Sequence, residues 1–319
     1  MTIHAIGFDH YGDPDVLHRV ELPEPVPARG QVRISVTAAG VNPTDATVRS
    51  GGRAAQYAEQ PVPHIPGMDL AGTIDALGDG VESRLQLGDA VVALVLPFAE
   101  TRGAYTTSIV VDQRSVVHAP AGATPAESAT LLLNAVTATL ALDALSLGAG
   151  DVLAVTGAPG AVGTDTIALA RRRGLTVVAD SRAGSEDRLR ARGADLVLPR
   201  GETFADRVRE HYPDGVQGLV DAAALNESAL AAVADGGAIA SLKGWSGPTA
   251  RGIRVEAISS FGVVTDTALL RQVRDQAEAG ILPLPVAQVF AAHDAPRAHR
   301  RLAAGGLDGR LVLDMAGLR

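Results

Sequence analysis

Val152-Leu153-Ala154-Val155-Thr156-Gly157-Ala158-Pro159-Gly160-Ala161-Val162-Gly163 reads as a buried strand, a glycine turn and the start of a helix. A short apolar run that ends in glycines and continues at helical spacing (Val162 to Arg173) has the form of a dinucleotide-binding turn. In that form Gly157 makes the tight turn and Gly160 lets the backbone approach a pyrophosphate. Gly163 lets helix and strand pack closely, and the helix N-terminus stabilises the anion. The spacing is G-x-x-G-x-x-G, so Ala158, Pro159, Ala161 and Val162 complete the predicted cofactor loop. The competing reading is a structural glycine turn that binds nothing.

Downstream, strand and helix alternate. Strands are predicted at Thr176 to Asp180, Leu196 to Leu198, Leu219 to Ala222 and Ala238 to Leu242. Helices are predicted at Glu186 to Arg192, Phe204 to His211 and Leu225 to Ala234. Short apolar strands separated by helices make a parallel sheet covered on both faces, a doubly wound α/β fold. The second strand ends at Asp180-Ser181-Arg182, where the adenosine ribose is read. A carboxylate there favours NAD, whereas Ser181 and Arg182 pair with a 2′-phosphate and favour NADP. Both signals are present, and the balance is taken as NADP. Leu242 ends the fifth strand and Lys243 follows it, and carboxyl ends of parallel strands face the ligand, so both join the predicted cofactor set. The bland reading of Lys243 is a solvated side chain.

Upstream, Thr124-Pro125-Ala126-Glu127 is a capping box with proline at the first helical position. A long Ala/Leu helix to about Leu147 follows. Before it, 11 of the 18 prolines fall at or before Pro125, and Gln31 to Thr37, Met68 to Ala76 and Ala90 to Leu96 read as strands. This half is a mostly antiparallel β domain. After Thr267 come one helix, a Pro-rich strand (Ile281 to Phe290), a short helix (Ala295 to Ala303) and a last strand (Arg310 to Leu313). Their character returns to that of the first half, so the C-terminus is expected to pack back onto it. Arg254 to Val264 reads as an apolar edge strand.

Composition narrows the function. The chain has 319 residues, 28 basic and 36 acidic, for a net charge of −8. An acidic chain is a poor partner for nucleic acid or an anionic membrane. There is no cysteine, which removes disulfides, Cys-ligated zinc, iron–sulfur clusters and thiol catalysis. The N-terminus carries no targeting pattern, and the most apolar window, Ala129 to Leu147, is interrupted by Asn134, Thr137, Thr139 and Asp143. A cytoplasmic protein is the expectation. Neither G-x-S-x-G nor G-x-x-x-x-G-K-[ST] occurs.

Several further tracts run in order from end to end. They are Ala39-Gly40-Val41-Asn42-Pro43-Thr44-Asp45, Ile65-Pro66-Gly67-Met68-Asp69-Leu70-Ala71-Gly72, Gly88-Asp89 and Gly103-Ala104-Tyr105. After the glycine turn come Gly193-Ala194-Asp195 and Gly309-Arg310-Leu311-Val312-Leu313. Together they resemble the zinc-independent quinone oxidoreductase branch of the medium-chain dehydrogenase/reductase superfamily. The resemblance implies a discontinuous GroES-like domain at residues 1–122 and 261–319, a Rossmann domain at 123–260, and an active-site cleft between them. It places Asn42, whose amide can donate to a carbonyl, and Asp45 near the nicotinamide, Thr137 beside its ribose, and the backbone at Phe261 and Val263 close by. Tyr57 is a candidate donor near the substrate, with Asn42 and Asp45 as its catalytic companions; the bland readings are a packed surface tyrosine and a structural turn. Phe98 is a candidate wall on the substrate side. Where zinc-dependent relatives carry Cys, His and Cys, this chain carries Asn42, Met68 and Asn134. Relatives also pair a sheet edge across a two-fold axis, which implies a homodimer.

The expected activity is therefore NADPH-dependent hydride transfer to a quinone or an α,β-unsaturated carbonyl, without zinc or flavin. The alternatives are a stand-alone enoyl reductase of a biosynthetic pathway and a non-catalytic NADPH-binding sensor or structural protein.

Overall fold

The computed structural model describes residues 2–318. The chain divides into two units: Met1–Leu133, Phe261–Glu278 and Leu284–Arg319 form the first, and Asn134–Ser260 with Ala279–Pro283 form the second.

In chain order, the first unit opens with β1 (Thr2–Gly7) and β2 (His18–Pro23), an antiparallel pair. Then come β3 (Gln31–Val41), α1 (Pro43–Arg49), β4 (Asp69–Leu77), β5 (Ala90–Leu94), β6 (Ser108–Asp112) and β7 (Val116–His118). β3 sets the register of the larger sheet. Its alternation buries Val32, Ile34 and Val36 on one face, as period-two patterning requires. The capping box at Thr124 starts α2 (Pro125–Ser128), where the Thr124 N–H donates to Glu127 Oε2 at 2.8 Å. The long predicted helix is broken after that turn and resumes as α3 (Leu132–Leu145). The window from Pro125 to Leu145 is apolar enough to cross a membrane, but 78% of it is buried inside the protein, as in a core helix.

The second unit is built on β8 (Val152–Thr156), α4 (Ala161–Arg172), β9 (Thr176–Ser181), α5 (Glu186–Arg192), β10 (Leu196–Pro199), α6 (Phe204–His211), β11 (Val216–Asp221), β12 (Val233–Ser241) and β13 (Arg254–Ala257). All six strands are parallel, in the order β10-β9-β8-β11-β12-β13. The order reverses between β8 and β11, the switch point at which such sheets bind ligands. The predicted helix at Leu225 to Ala234 is instead a 3₁₀ segment, Asn226–Ala232, and β12 begins at Val233. Ala224 and Asn226 both have positive φ (61° and 54°), which breaks helical continuity there. Asp221 Oδ1 and Oδ2 accept the Leu225 and Asn226 N–H groups and hold that turn in place. The predicted apolar edge from Arg254 to Val264 is also shorter. β13 has four residues with Arg254, Glu256 and Ala257 exposed, and Phe261–Val263 is a helical turn.

The chain returns to the first unit through α7 (Thr267–Glu278), β14 (Val286–Ala291), α8 (Ala295–Ala303) and β15 (Arg310–Asp314). β14 begins five residues later than the predicted strand, after the prolines. β15 pairs antiparallel with β3 through Leu311↔Val41 and Leu313↔Ala39, and β14 lies outside it. The resulting path β14-β15-β3-β4-β5-β7, with β6 also on β3, places the starts of α1, β4 and β15 together in one core.

Candidate functional site

The second unit supplies a turn made almost wholly of backbone. Gly157 ends β8 at φ 65°, and a Cβ there would stand 3.1 Å from the Ala222 carbonyl carbon. At Gly163 a Cβ would lie 2.5 Å from the Gly157 oxygen, so α4 can seat this close only with glycine. Gly160 is the exposed N-cap of α4 and leaves the first N–H groups of a 12-residue helix without a capping side chain. Ala158 is buried; Pro159, Ala161 and Val162 are half-buried around the turn. This arrangement fits a dinucleotide pyrophosphate.

Asp180, at the end of β9, is buried, and its Oδ1 accepts the Ala158 N–H at 2.8 Å. The carboxylate that would select NAD is therefore engaged with the glycine turn. Burial raises its pKa, and the backbone N–H groups of Gly157 and Ala158 oppose the rise. Ser181 is buried and its hydroxyl donates to Glu186 Oε1 at 3.4 Å. Arg182 is half-buried beside it. Sequence reading missed Arg188. Its guanidinium reaches the Pro159 carbonyl at 3.5 Å, and burial, then the charge of Arg182, lowers its pKa. Its position on α5 behind the turn was a legible signal. Lys243 is exposed, Leu242 is half-buried with its N–H on the Asp221 carbonyl, and Thr137 is half-buried on α3. Phe261 and Val263 belong to the first unit.

The first unit holds a buried side-chain network. Pro43 opens α1, and the Asn42 N–H donates to Asp45 Oδ2 at 2.8 Å, so the Asn-Pro-Thr-Asp run is a helix start. Asp45 also accepts from the Gly67 N–H at 3.2 Å and from the Tyr105 hydroxyl at 3.0 Å. Burial pushes its pKa up to about 7, against the Asn42 N–H that lowers it. Burial likewise raises Tyr105. The Tyr105 oxygen lies 3.2 Å from His299 Nε2, and His299 Nδ1 is buried without a partner. Burial, then the nearby Arg49, lowers the His299 pKa to about 3, so this ring is neutral. With Tyr105 donating to Asp45, Nε2 must carry the His299 proton.

A second branch joins Asn42 to Asp69 and Arg310. Asn42 Nδ2 donates to Asp69 Oδ1 at 2.8 Å and to the Gly40 carbonyl at 3.4 Å. Arg310 donates to Asn42 Oδ1, to the Thr130 carbonyl at 3.0 Å and to Asp69 Oδ2 at 3.5 Å. A Cβ at Gly40 would lie 2.5 Å from Asp69 Oδ1, so this glycine makes room for the branch. Asn42 is 1% exposed and every polar atom of its amide is committed, leaving no donor for a carbonyl substrate. Its predicted donor role is replaced by a positioning one. His299 and Arg310 were missed by sequence reading. Ala295, Ala298 and His299 at helical spacing on α8 were the available signal for the first.

Tyr57 is 2% exposed, not a surface tyrosine. Its hydroxyl is buried without a partner, and burial, then the charge of Asp45, raises its pKa far above a free phenol's. The phenol is therefore neutral. Its ring packs edge-on to His64 (4.9 Å) and Phe98 (6.2 Å), and Phe98 packs edge-on to Phe261 (5.2 Å).

The positions that hold zinc in relatives do not fit it here. Asn42 is fully engaged, Met68 is a buried thioether, and Asn134 offers an amide. Among the described residues no group of three or more His, Asp or Glu is placed to hold a metal ion.

Residues 28–121 match the alcohol dehydrogenase GroES-like domain family, and residues 174–313 match the zinc-binding dehydrogenase family. The chain is 35% identical to the quinone oxidoreductase of Rattus norvegicus over 202 residues, 62% of this chain and 56% of the rat protein. The chain thus spans little more than half the length of that relative. It is 30% identical to the 2-methylene-furan-3-one reductase of Solanum lycopersicum over 285 residues, 86% of this chain and 69% of that protein. A mycobacterial protein solved in complex with NADPH superposes with a TM-score of 0.85 at 28% identity, covering 98% of this chain and 99% of the other.

Proposed function

We propose that this chain, which belongs to the medium-chain dehydrogenase/reductase superfamily and is an oxidoreductase of that family, reduces quinones or α,β-unsaturated carbonyls with NADPH and without zinc. The observation that carries the cofactor choice is Asp180. Its carboxylate is turned onto the Ala158 N–H, which leaves the end of β9 to the guanidinium groups of Arg182 and Arg188. A 2′-phosphate meets the positive charges of Arg182 and Arg188 there, beside Glu186, whose carboxylate takes the Ser181 hydroxyl. The NADPH complex of the mycobacterial relative supports the same choice.

Gly157 and Gly160 would cradle the pyrophosphate at the α4 N-terminus, which Gly163 seats close to the turn. NADPH, when bound, supplies the hydride. Tyr57 would donate a hydrogen bond to the substrate oxygen as negative charge develops there, and the proton that completes the reduction would come from solvent. Asp45 keeps a proton near neutrality beside Tyr57, and the network through Asn42, Asp69 and Arg310 fixes α1 in place. The short open edge of β13 is the proposed homodimer contact, which light scattering checks by mass.

The direct test is a titration of NADPH and NADH, followed by a panel of quinones, enones and enoyl thioesters with the preferred cofactor. The expected result is tighter NADPH binding and turnover of a quinone or enone. NADPH binding with no turnover across the panel contradicts the reading; turnover of thioesters alone converts it to an enoyl reductase.

A further inference from the structure

The chain has ten aromatic residues, and five of them, Phe8, Tyr11, Tyr57, Phe98 and Phe261, join His64 in one connected cluster. A protein that builds its core from aliphatic residues has concentrated its flat side chains at one place in the first unit. Phe8, Tyr57 and His64 are buried, Tyr11 is exposed, and Phe98 and Phe261 are half-exposed at its rim. The cluster also contains the partnerless Tyr57 hydroxyl, nine-tenths buried and more, and the partnerless Nδ1 of His64. Burial, then the charge of Arg102, lowers the His64 pKa, so the ring stays neutral.

At the same rim, the Arg53 guanidinium lies 5.2 Å over the Phe261 ring. Arg53 is exposed and forms no ion pair among the described residues. Stacking on an aromatic face holds an arginine flat and pre-organised while its N–H edge stays open to an anion.

We infer that the first unit selects flat conjugated carbonyl compounds that carry an anionic group, with Phe98 and Phe261 facing the conjugated plane and Arg53 pairing with the anion. This rests on the reductase reading above and specifies its substrate class. Carboxylate and sulfonate share the required chemistry, a planar-facing anion able to take two N–H bonds from one guanidinium. Tyr57 would then meet the substrate oxygen within the same cluster.

The test titrates the full-length protein with 1,4-naphthoquinone and with 1,4-naphthoquinone-2-sulfonate by calorimetry, without NADPH. The sulfonate is expected to bind about tenfold more tightly, the size of one charge-assisted hydrogen-bonded pair. Arg53→Gln is expected to remove that preference, Arg53→Lys to restore part of it, and Phe261→Leu to weaken both compounds. Equal affinities in the wild type, no binding of either, or a preference that survives Arg53→Gln overturns the inference. Steady-state turnover separates the two claims. An enzyme that reduces neutral naphthoquinone without discrimination keeps the reductase reading and loses this one, whereas binding of the sulfonate with no reduction of any substrate does the reverse.

Discussion

The two units build their sites from different materials. In the second, the turn between β8 and α4 is backbone: glycines, N–H groups and a helix end, braced by one buried carboxylate. In the first, the centre is side chain: Asp45, Tyr105, His299, Asn42, Asp69 and Arg310, each buried and each satisfied mainly by another. A backbone site tolerates change in most side chains and fails when a Cβ intrudes. A buried polar network fails when a partner is lost, because the remaining charge has no water to turn to.

That contrast gives its largest effect at Arg310. Arg310→Met leaves Asp69 buried without its cation and Asn42 Oδ1 without its donor, and is expected to cost about 3–5 kcal/mol of stability. Urea denaturation measures it. Adding Asp69→Asn should return much of the loss; a single variant within 1 kcal/mol of wild type, about the size of a surface pair, would mean that the network does not behave as a buried ion pair.

In the second unit the counterpart is Gly163→Ala. The added Cβ would stand 2.5 Å from the Gly157 oxygen and 2.6 Å from the Ala158 Cα, pushing α4 off the turn. The expected cost is about 1–3 kcal/mol, with dinucleotide affinity falling at least as much as stability. Unchanged NADPH affinity in fluorescence titration would show that the close seat of α4 does not shape the cofactor site.

Arg182→Ala probes a side chain added to the backbone site. NADPH affinity should drop about tenfold with little change for NADH, the loss of one charge-assisted contact. Equal losses for both would remove Arg182 from the phosphate site, and the same comparison with Arg188→Ala apportions the pair.

The smallest effect is a change in slope. Asp45 is raised from 3.8 to about 7 in the folded protein, so its contribution to stability is full below about pH 4 and is lost as pH rises to about 7. His299 is lowered from 6.5 to about 3, so its contribution is full above about pH 6.5 and is lost as pH falls. Over the shared range the two oppose one another. Asp45→Asn should therefore make Tm climb more steeply between about pH 4 and 6.5 than in wild type. An unchanged Tm profile would mean that Asp45 does not take up its proton on folding.

The same contrast explains what could be read from the sequence. The turn at Gly157 to Gly163 is local, and its helix, strand and glycines lie within twelve consecutive residues. The strand alternation of β3 and the capping box at Thr124 are local as well. The network is not: Tyr105 meets a histidine 194 positions away, and Asn42 meets an arginine 268 positions away. Spacing along the chain cannot announce such a meeting, so Asn42 was read as a free donor and His299 was not read at all. Asp180 and Ser181 show an intermediate case. Their position at the ribose end of β9 was legible, whereas the direction in which the carboxylate points depended on the Ala158 N–H. The 3₁₀ segment at Asn226–Ala232 was hidden by alanine-rich composition, since left-handed φ at Ala224 and Asn226 runs against residue preference.

The central claim is that this chain transfers hydride from NADPH to a conjugated carbonyl with no metal. It is tested most directly by following NADPH consumption with 1,4-naphthoquinone and a simple enone before and after dialysis against a strong chelator. The account predicts turnover with at least one of them, faster with NADPH than with NADH and unchanged by the chelator. Activity that vanishes with the chelator and returns with added zinc would contradict it.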